Sequence, residues 1–206
     1  MKGLPYNLNV PLKLARDKLK AASPANIAQK KRVGWDKESS QFFCPFLSQV
    51  YRISYPSGEI HGEKEEEIDP HLKILFLHYL TSPGSSLHGQ WITFKELPGG
   101  MLYSTPFYYR AILPLIRTFT PHLDSLILAG SSLGGERTKI GHASIILYPF
   151  PLVPVCLSLW AGDEEVPSGG TILFDASVPE HLSTEDCAVL AEYLVRRLKL
   201  ALSLKE

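Results

Sequence analysis

Apolar positions along the chain recur with two periods, and they alternate between them. From Pro11 to Ala22, Leu12, Ala15 and Leu19 fall three and four residues apart, on one face of a helix that Pro11 can open. Lys13, Arg16, Lys18 and Lys20 lie elsewhere on it and read as a solvated face. Ser23-Pro24 predicts a second, shorter helix closed near Gly34. From Gln41 to Tyr55 the period changes to two, with β-prone Phe42, Phe43, Phe46, Val50, Tyr51, Ile53 and Tyr55. Two strands joined near Ser48 are expected. Asp69-Pro70 then starts HLKILFLHYLTS, a helix apolar nearly all round and therefore buried.

The second half repeats the change of period. Leu97-Pro98-Gly99-Gly100 predicts a turn among Trp91, Phe94 and Tyr103. Pro106 to Phe119 reads as a helix kinked or split at Pro114. Pro121 to Leu128 fits a short helix or an apolar strand, and Ser144 to Tyr148 fits a strand. Leu152 to Ser177 holds two apolar runs, each ending in acid, around Asp163, Glu164, Glu165 and a Pro-Ser-Gly-Gly turn: a hairpin of core strands. Ser183 starts a last helix, with Glu185 and Asp186 in its first turn and Leu190, Leu194, Leu198 and Ala201 on its buried face. The fold class that follows is α+β. A mostly antiparallel sheet carries packed helices in one domain over 1–206, and a helical segment, 1–36, lies on the 37–206 body.

Composition narrows the class. The 206 residues carry 21 basic and 21 acidic side chains, so the basic excess of a nucleic-acid-binding protein is absent. The longest apolar run, near Ile145, is broken by Pro149, Pro151 and Pro154 and is too short to span a membrane. Three well-separated cysteines and a start, MKGLPYNLN, without an apolar run behind its lysine point to a reducing cytoplasm. Glu63 to Glu67 is an acidic, solvated run whose consecutive side chains diverge.

Candidate chemistry is sparse. Gly130-Ser131-Ser132-Leu133-Gly134 satisfies G-x-S-x-G, with Asp163 or Asp175 and then His181 in triad order. The next glycine, Gly141, leaves no room for the crossover helix that a nucleophile elbow requires, so a glycine-rich connection is the expected reading. The seven histidines show no metal-ligand spacing, and His78 inside the apolar helix reads as a hydrogen-bonded core residue. The remaining candidates are aromatic and acidic residues near the turns: Trp91, Phe94, Glu96, Trp160, Asp163, Glu164, Glu165 and Asp175. If the hairpin brings Asp163 to Asp175, paired carboxylates would have separated pKa values suited to acid–base or metal work. The expected site is a pocket for a small molecule or cofactor between the 91–100 loop and the 160–175 hairpin. Alternatives are an enzyme using Asp163, Glu165 or Asp175, and a protein-interaction module. No cofactor is identified.

Several segments, in order, resemble one family: His78-Tyr79-Leu80, Gly89 to Gly100 (GQWITFKELPGG), Pro151 to Pro154, Leu159 to Glu165 (LWAGDEE) and Ile172 to Asp175. Together they are similar to the domain-of-unknown-function family numbered 3786, which occurs in anaerobic bacteria and archaea. The resemblance brings no established activity. It implies a setting in anaerobic one-carbon, corrinoid or redox metabolism. Some relatives carry an N-terminal cysteine cluster of iron–sulfur type that is missing here, and Val166 stands where the family tends to show an aromatic.

Overall fold

Two helices open the chain, α1 (Asn9–Ala21) and α2 (Pro24–Lys31). Pro24 starts α2 at its first turn, and Arg32, at φ 54°, ends it in the left-handed region. The computed structural model describes residues 8–63 and 67–204, so the middle of the acidic run at 63–67 lies outside the described residues. Strands β1 (Gly34–Asp36), β2 (Gln41–Phe46), β3 (Gln49–Ser54) and β4 (Ile60–His61) form an antiparallel meander in that order. In β2 the period of two is clean, since Phe42, Cys44 and Phe46 are buried while Phe43 faces out.

Helix α3 (Pro70–Thr81) starts on Asp69, whose carboxylate accepts the His71 backbone N–H at 2.9 Å. It is apolar nearly all round because it has neighbours nearly all round. Leu72, Leu75, Phe76, Leu77, Tyr79 and Leu80 are buried among α1, the meander and the second half of the chain. Phe76 packs against Phe46 and Tyr51 of the meander and against Phe150, and Tyr79 stacks on Phe150 with ring centroids 4.5 Å apart.

The second half contains β5 (Trp91–Thr93), α4 (Gly100–Phe107), α5 (Leu113–Phe119), α6 (Leu123–Ser132), β6 (Glu136–Arg137), β7 (Ala143–Phe150), β8 (Val153–Trp160), β9 (Gly169–Asp175) and α7 (Thr184–Ser203). Its sheet runs β5-β9-β8-β7-β6, antiparallel throughout. The central strand β8 is buried from Val153 to Leu159 without alternation, so both faces of the sheet are covered. Ser183 and Asp186 cap α7 reciprocally: the Ser183 hydroxyl donates to the Asp186 carboxylate at 2.7 Å and accepts the Asp186 N–H at 3.1 Å. The architecture is α+β with antiparallel strands, as the patterning predicts. The strands divide between two sheets, which meet where Leu47 N–H donates to the Pro149 carbonyl at 3.3 Å.

Two local readings change. The helix predicted from Pro106 already begins at Gly100, so the Leu97–Gly100 turn is its entrance. The predicted break at Pro114 takes the form of a π-helical turn, Tyr108–Ile112, in which Leu113 N–H reaches back to the Tyr108 carbonyl. A proline cannot donate to the residue four before it, and the wider turn makes room for its ring. The G-x-S-x-G segment closes α6 instead of turning a strand into a helix. Gly130 is needed there for packing, since a Cβ would lie 2.5 Å from Ile145 Cγ1 of β7. Gly134, at φ 79°, takes the left-handed position that follows the helix. Among the described residues, no helix is long and apolar enough to cross a membrane.

Candidate functional site

The chain leaves β5 through a tight turn that sequence chemistry explains. Glu96 Oε2 accepts both the Thr93 backbone N–H at 2.7 Å and the Thr93 hydroxyl at 2.8 Å. This closes the turn and holds the Glu96 carboxyl below the usual carboxylate range. Phe94 points inward and stacks on Phe107 of α4, with centroids 3.9 Å apart and planes within 5°. Gly100 must lack a side chain, because a Cβ would meet the Phe94 carbonyl oxygen. The outcome is a rigid corner between β5 and α4 with an aromatic stack at its centre.

A cleft opens on each side of that stack. The first, about 520 Å³, has Thr93, Phe94 and Lys95 on one wall and Ile172 of β9 at its floor. Its other wall is Ser104, Thr105 and Phe107 of α4 with Tyr108, Tyr109 and Ile112 of the π-helical turn. The second, about 500 Å³, lies between α4 and α7 and shares Phe94 and Phe107. Its cation, Arg110, is engaged by Glu192 at 2.6 Å. Around both clefts the surface is unusually apolar: Met101, Leu102, Tyr103, Tyr108 and Tyr109 are all exposed. A π-turn at a cleft is a frequent companion of binding sites.

The residues singled out from sequence are distributed differently from the expectation. Phe94 lines both clefts. Trp91 is half-buried in β5 and pairs in register with Asp175. Trp160 pairs with Gly169 at the opposite end of the hairpin, and Asp163, Glu164 and Glu165 follow it in an exposed loop. Asp163 and Asp175 therefore do not approach one another. Six residues of strand separate Gly169 from Asp175, about 20 Å at about 3.4 Å per residue. A two-stranded hairpin places its loop and its open end as far apart as its length allows.

Each acid has a backbone task. Asp163 Oδ1 accepts the Val166 and Glu165 N–H groups at 2.7 and 2.9 Å, which hold its carboxyl below the usual range. Asp175 is buried. Its Oδ1 accepts the His88 N–H at 2.9 Å, the Ser177 N–H at 2.9 Å and the Ser177 hydroxyl at 2.6 Å, and its Oδ2 accepts the Gly89 N–H at 2.8 Å. Burial pushes this carboxyl upward, but the hydrogen bonds from Ser177, His88 and Gly89 outweigh it and keep it low. His78 donates or accepts at Asp186, 2.9 Å away, as a helix-to-helix tie. Among the described residues, no three His, Cys, Asp or Glu side chains gather as a metal site.

A polar centre that sequence reasoning passed over lies in the core. Lys31, at the end of α2, is 1% exposed and His181 is 0% exposed. The Lys31 amine lies 2.7 Å from the Ser82 hydroxyl and 3.4 Å from His181 Nδ1, with the Tyr79 ring beneath it at 5.2 Å. His181 Nε2 lies 3.0 Å from the Ser85 carbonyl, so Nε2 carries the proton and Nδ1 accepts. No carboxylate forms an ion pair with Lys31 among the described residues. Burial, helped by Lys30, lowers the amine to about 8 against a weaker opposing pull from Glu180. Burial and then Lys31 lower His181 to about 4. The signal in the sequence was Lys31 four residues after Ile27, on the buried stripe of a short helix.

Compared with known families, residues 23–197 match the model of the family described as domain of unknown function (DUF3786). No curated protein and no solved structure matches the chain significantly.

Proposed function

We propose that this chain, which belongs to the DUF3786 family, binds a small, largely flat apolar molecule carrying an acidic group. The reading places it in the cleft between Thr93–Lys95 and the Tyr108–Ile112 turn. The observation that carries it is the cleft of about 520 Å³, with Phe94, Phe107, Tyr108, Tyr109 and Ile112 for an apolar ring system. Lys95 at its edge supplies a cation for an anionic substituent, and Thr93, Ser104 and Thr105 supply hydroxyls for orientation. This is the 91–100 loop and the 160–175 hairpin in modified form. Thr171 and Ile172 of the hairpin line the cleft, while Asp163, Glu164 and Glu165 stand outside it. A reducing cytoplasmic setting fits three buried cysteines that form no disulfide.

The test uses 1-anilinonaphthalene-8-sulfonate, an aromatic anion, titrated by fluorescence and calorimetry. Saturable one-to-one binding is expected, weakened about tenfold or more in Thr105→Trp, which fills the cleft from an exposed helix position. Lys95→Ala should weaken it by less, since an exposed charge contributes about 1 kcal/mol or under. Unchanged affinity in folded Thr105→Trp would remove the cleft from the reading.

A further inference from the structure

We propose that Ser82, Lys31 and His181 form an acyl-transfer centre for small acyl esters, with Ser82 as nucleophile, Lys31 as base and His181 as the group that positions the base. The proposal is independent of the cleft, which these residues do not line.

The geometry has the three links that an activated nucleophile requires. Nucleophile and base are in contact, with the Ser82 hydroxyl 2.7 Å from the Lys31 amine. The base is oriented by a third group: His181 Nδ1 accepts an amine N–H, which turns the lone pair of the neutral amine toward Ser82. His181 is itself fixed, because its Nε2–H donates to the Ser85 carbonyl at 3.0 Å. Ser82 is half-buried at the end of α3, where the chain passes into the largely exposed segment before β5. Its proton has a ready alternative acceptor in the Tyr79 carbonyl, 3.0 Å away. The second observation concerns Ser85. Its hydroxyl is buried and has no hydrogen-bond partner among the described residues, a cost of about 1–3 kcal/mol for which no packing reason is evident. Such a hydroxyl is available to donate to an oxygen that gains charge during the reaction. Space beside the amine is limited to a small group, since even a Cβ on Gly84 would come within 2.5 Å of the Lys31 nitrogen.

The step balances within these groups. Ser82 Oγ forms a bond to the acyl carbon as its proton passes to the Lys31 nitrogen, and the carbonyl π pair moves onto oxygen. That pair returns, the alcohol leaves, and it takes the proton from Lys31. Water then attacks the acyl-serine by the same route in reverse. Without the ammonium of Lys31 held neutral by its surroundings, the first proton transfer would have no acceptor.

Diisopropyl fluorophosphate tests the proposal on the full chain, with peptide mass mapping of the adduct. Ser82 displaces fluoride and becomes the modified residue, at a rate that rises as the pH passes about 8. Ser82→Ala carries no adduct at that peptide, and Lys31→Met, which keeps the length of the side chain, slows labelling about 100-fold or more. His181→Asn moves the midpoint of the pH–rate profile, which a purely structural histidine would leave in place. An unmodified Ser82 overturns the proposal, as does undiminished labelling in Lys31→Met. Should Lys31→Met not fold, the wild-type profile decides, because a labelling rate independent of pH between about 6 and about 10 also overturns it.

Discussion

Acid should weaken this fold through His181 before it protonates the low carboxylates. The ring is fully buried, its Nε2–H donates to the Ser85 carbonyl, and its Nδ1 faces the amine of Lys31. A second proton on it would sit beside an existing cation with no water to screen the pair. Burial and Lys31 accordingly lower its pKa from 6.5 to about 4. A group whose folded pKa is depressed contributes stability that is complete above its unfolded pKa. That stability is lost as the pH falls from about 6.5 through about 4. The difference corresponds to about 3 kcal/mol, a large part of the 5–15 kcal/mol that typically holds a domain. Asp163 and Asp175 lie below the usual carboxylate range and lose their contribution at lower pH, so they do not obscure the window. The assay is urea unfolding of wild type and His181→Gln at about pH 7, 5.5 and 4. Glutamine keeps a donor for the Ser85 carbonyl and does not titrate, so its stability should vary less across the window by about 3 kcal/mol. Equal losses in the two proteins would refute the reasoning.

Three further outcomes follow from the same contacts. Lys31→Met removes a buried, unpaired amine and should flatten the rise in wild-type stability expected between about pH 8 and 10.5, where only the unfolded chain still binds that proton; alkaline urea titrations check this. Asp175→Asn replaces an acceptor of four hydrogen bonds by a group that turns an N–H₂ toward donors, and should cost about 3 kcal/mol in thermal unfolding while freeing the His88–Gly89 backbone to exchange its amide hydrogens. Gly130→Ala forces a methyl group to within 2.5 Å of Ile145 and should destabilise by about 2 kcal/mol, measurable by the urea midpoint, whereas Ser132→Ala, outside any nucleophilic role, should stay within about 1 kcal/mol of wild type. Cys44 and Cys187 are fully buried and desolvation pushes both thiols well up, so neither should react with an aromatic disulfide reagent until the chain is unfolded.

Local chemistry made much of the architecture legible. Asp69-Pro70 and Ser183 with Asp186 are capping signals that act within four residues, and the helices they start are found where the signals lie. The alternation in Gln41–Phe46 and the two apolar runs around the Asp163 turn depend only on which side chains seek burial, and those strands form as well. The candidate site was legible only at Phe94, whose place next to the Leu97–Gly100 turn is itself a local matter.

What the sequence by itself determined, then, is the set of elements and their class, because caps, turns and periodicity are settled by neighbours along the chain. Tertiary structure decided the partners. It paired β5 with β9 and so set Trp91 beside Asp175, and it put Asp163 at the far end of the same hairpin. It also brought Lys31, Ser82 and His181 together across 150 residues of chain. The physical reason is that register and helix packing are chosen by the total area buried and by satisfying every buried polar group at once. Neither quantity can be read from any one segment.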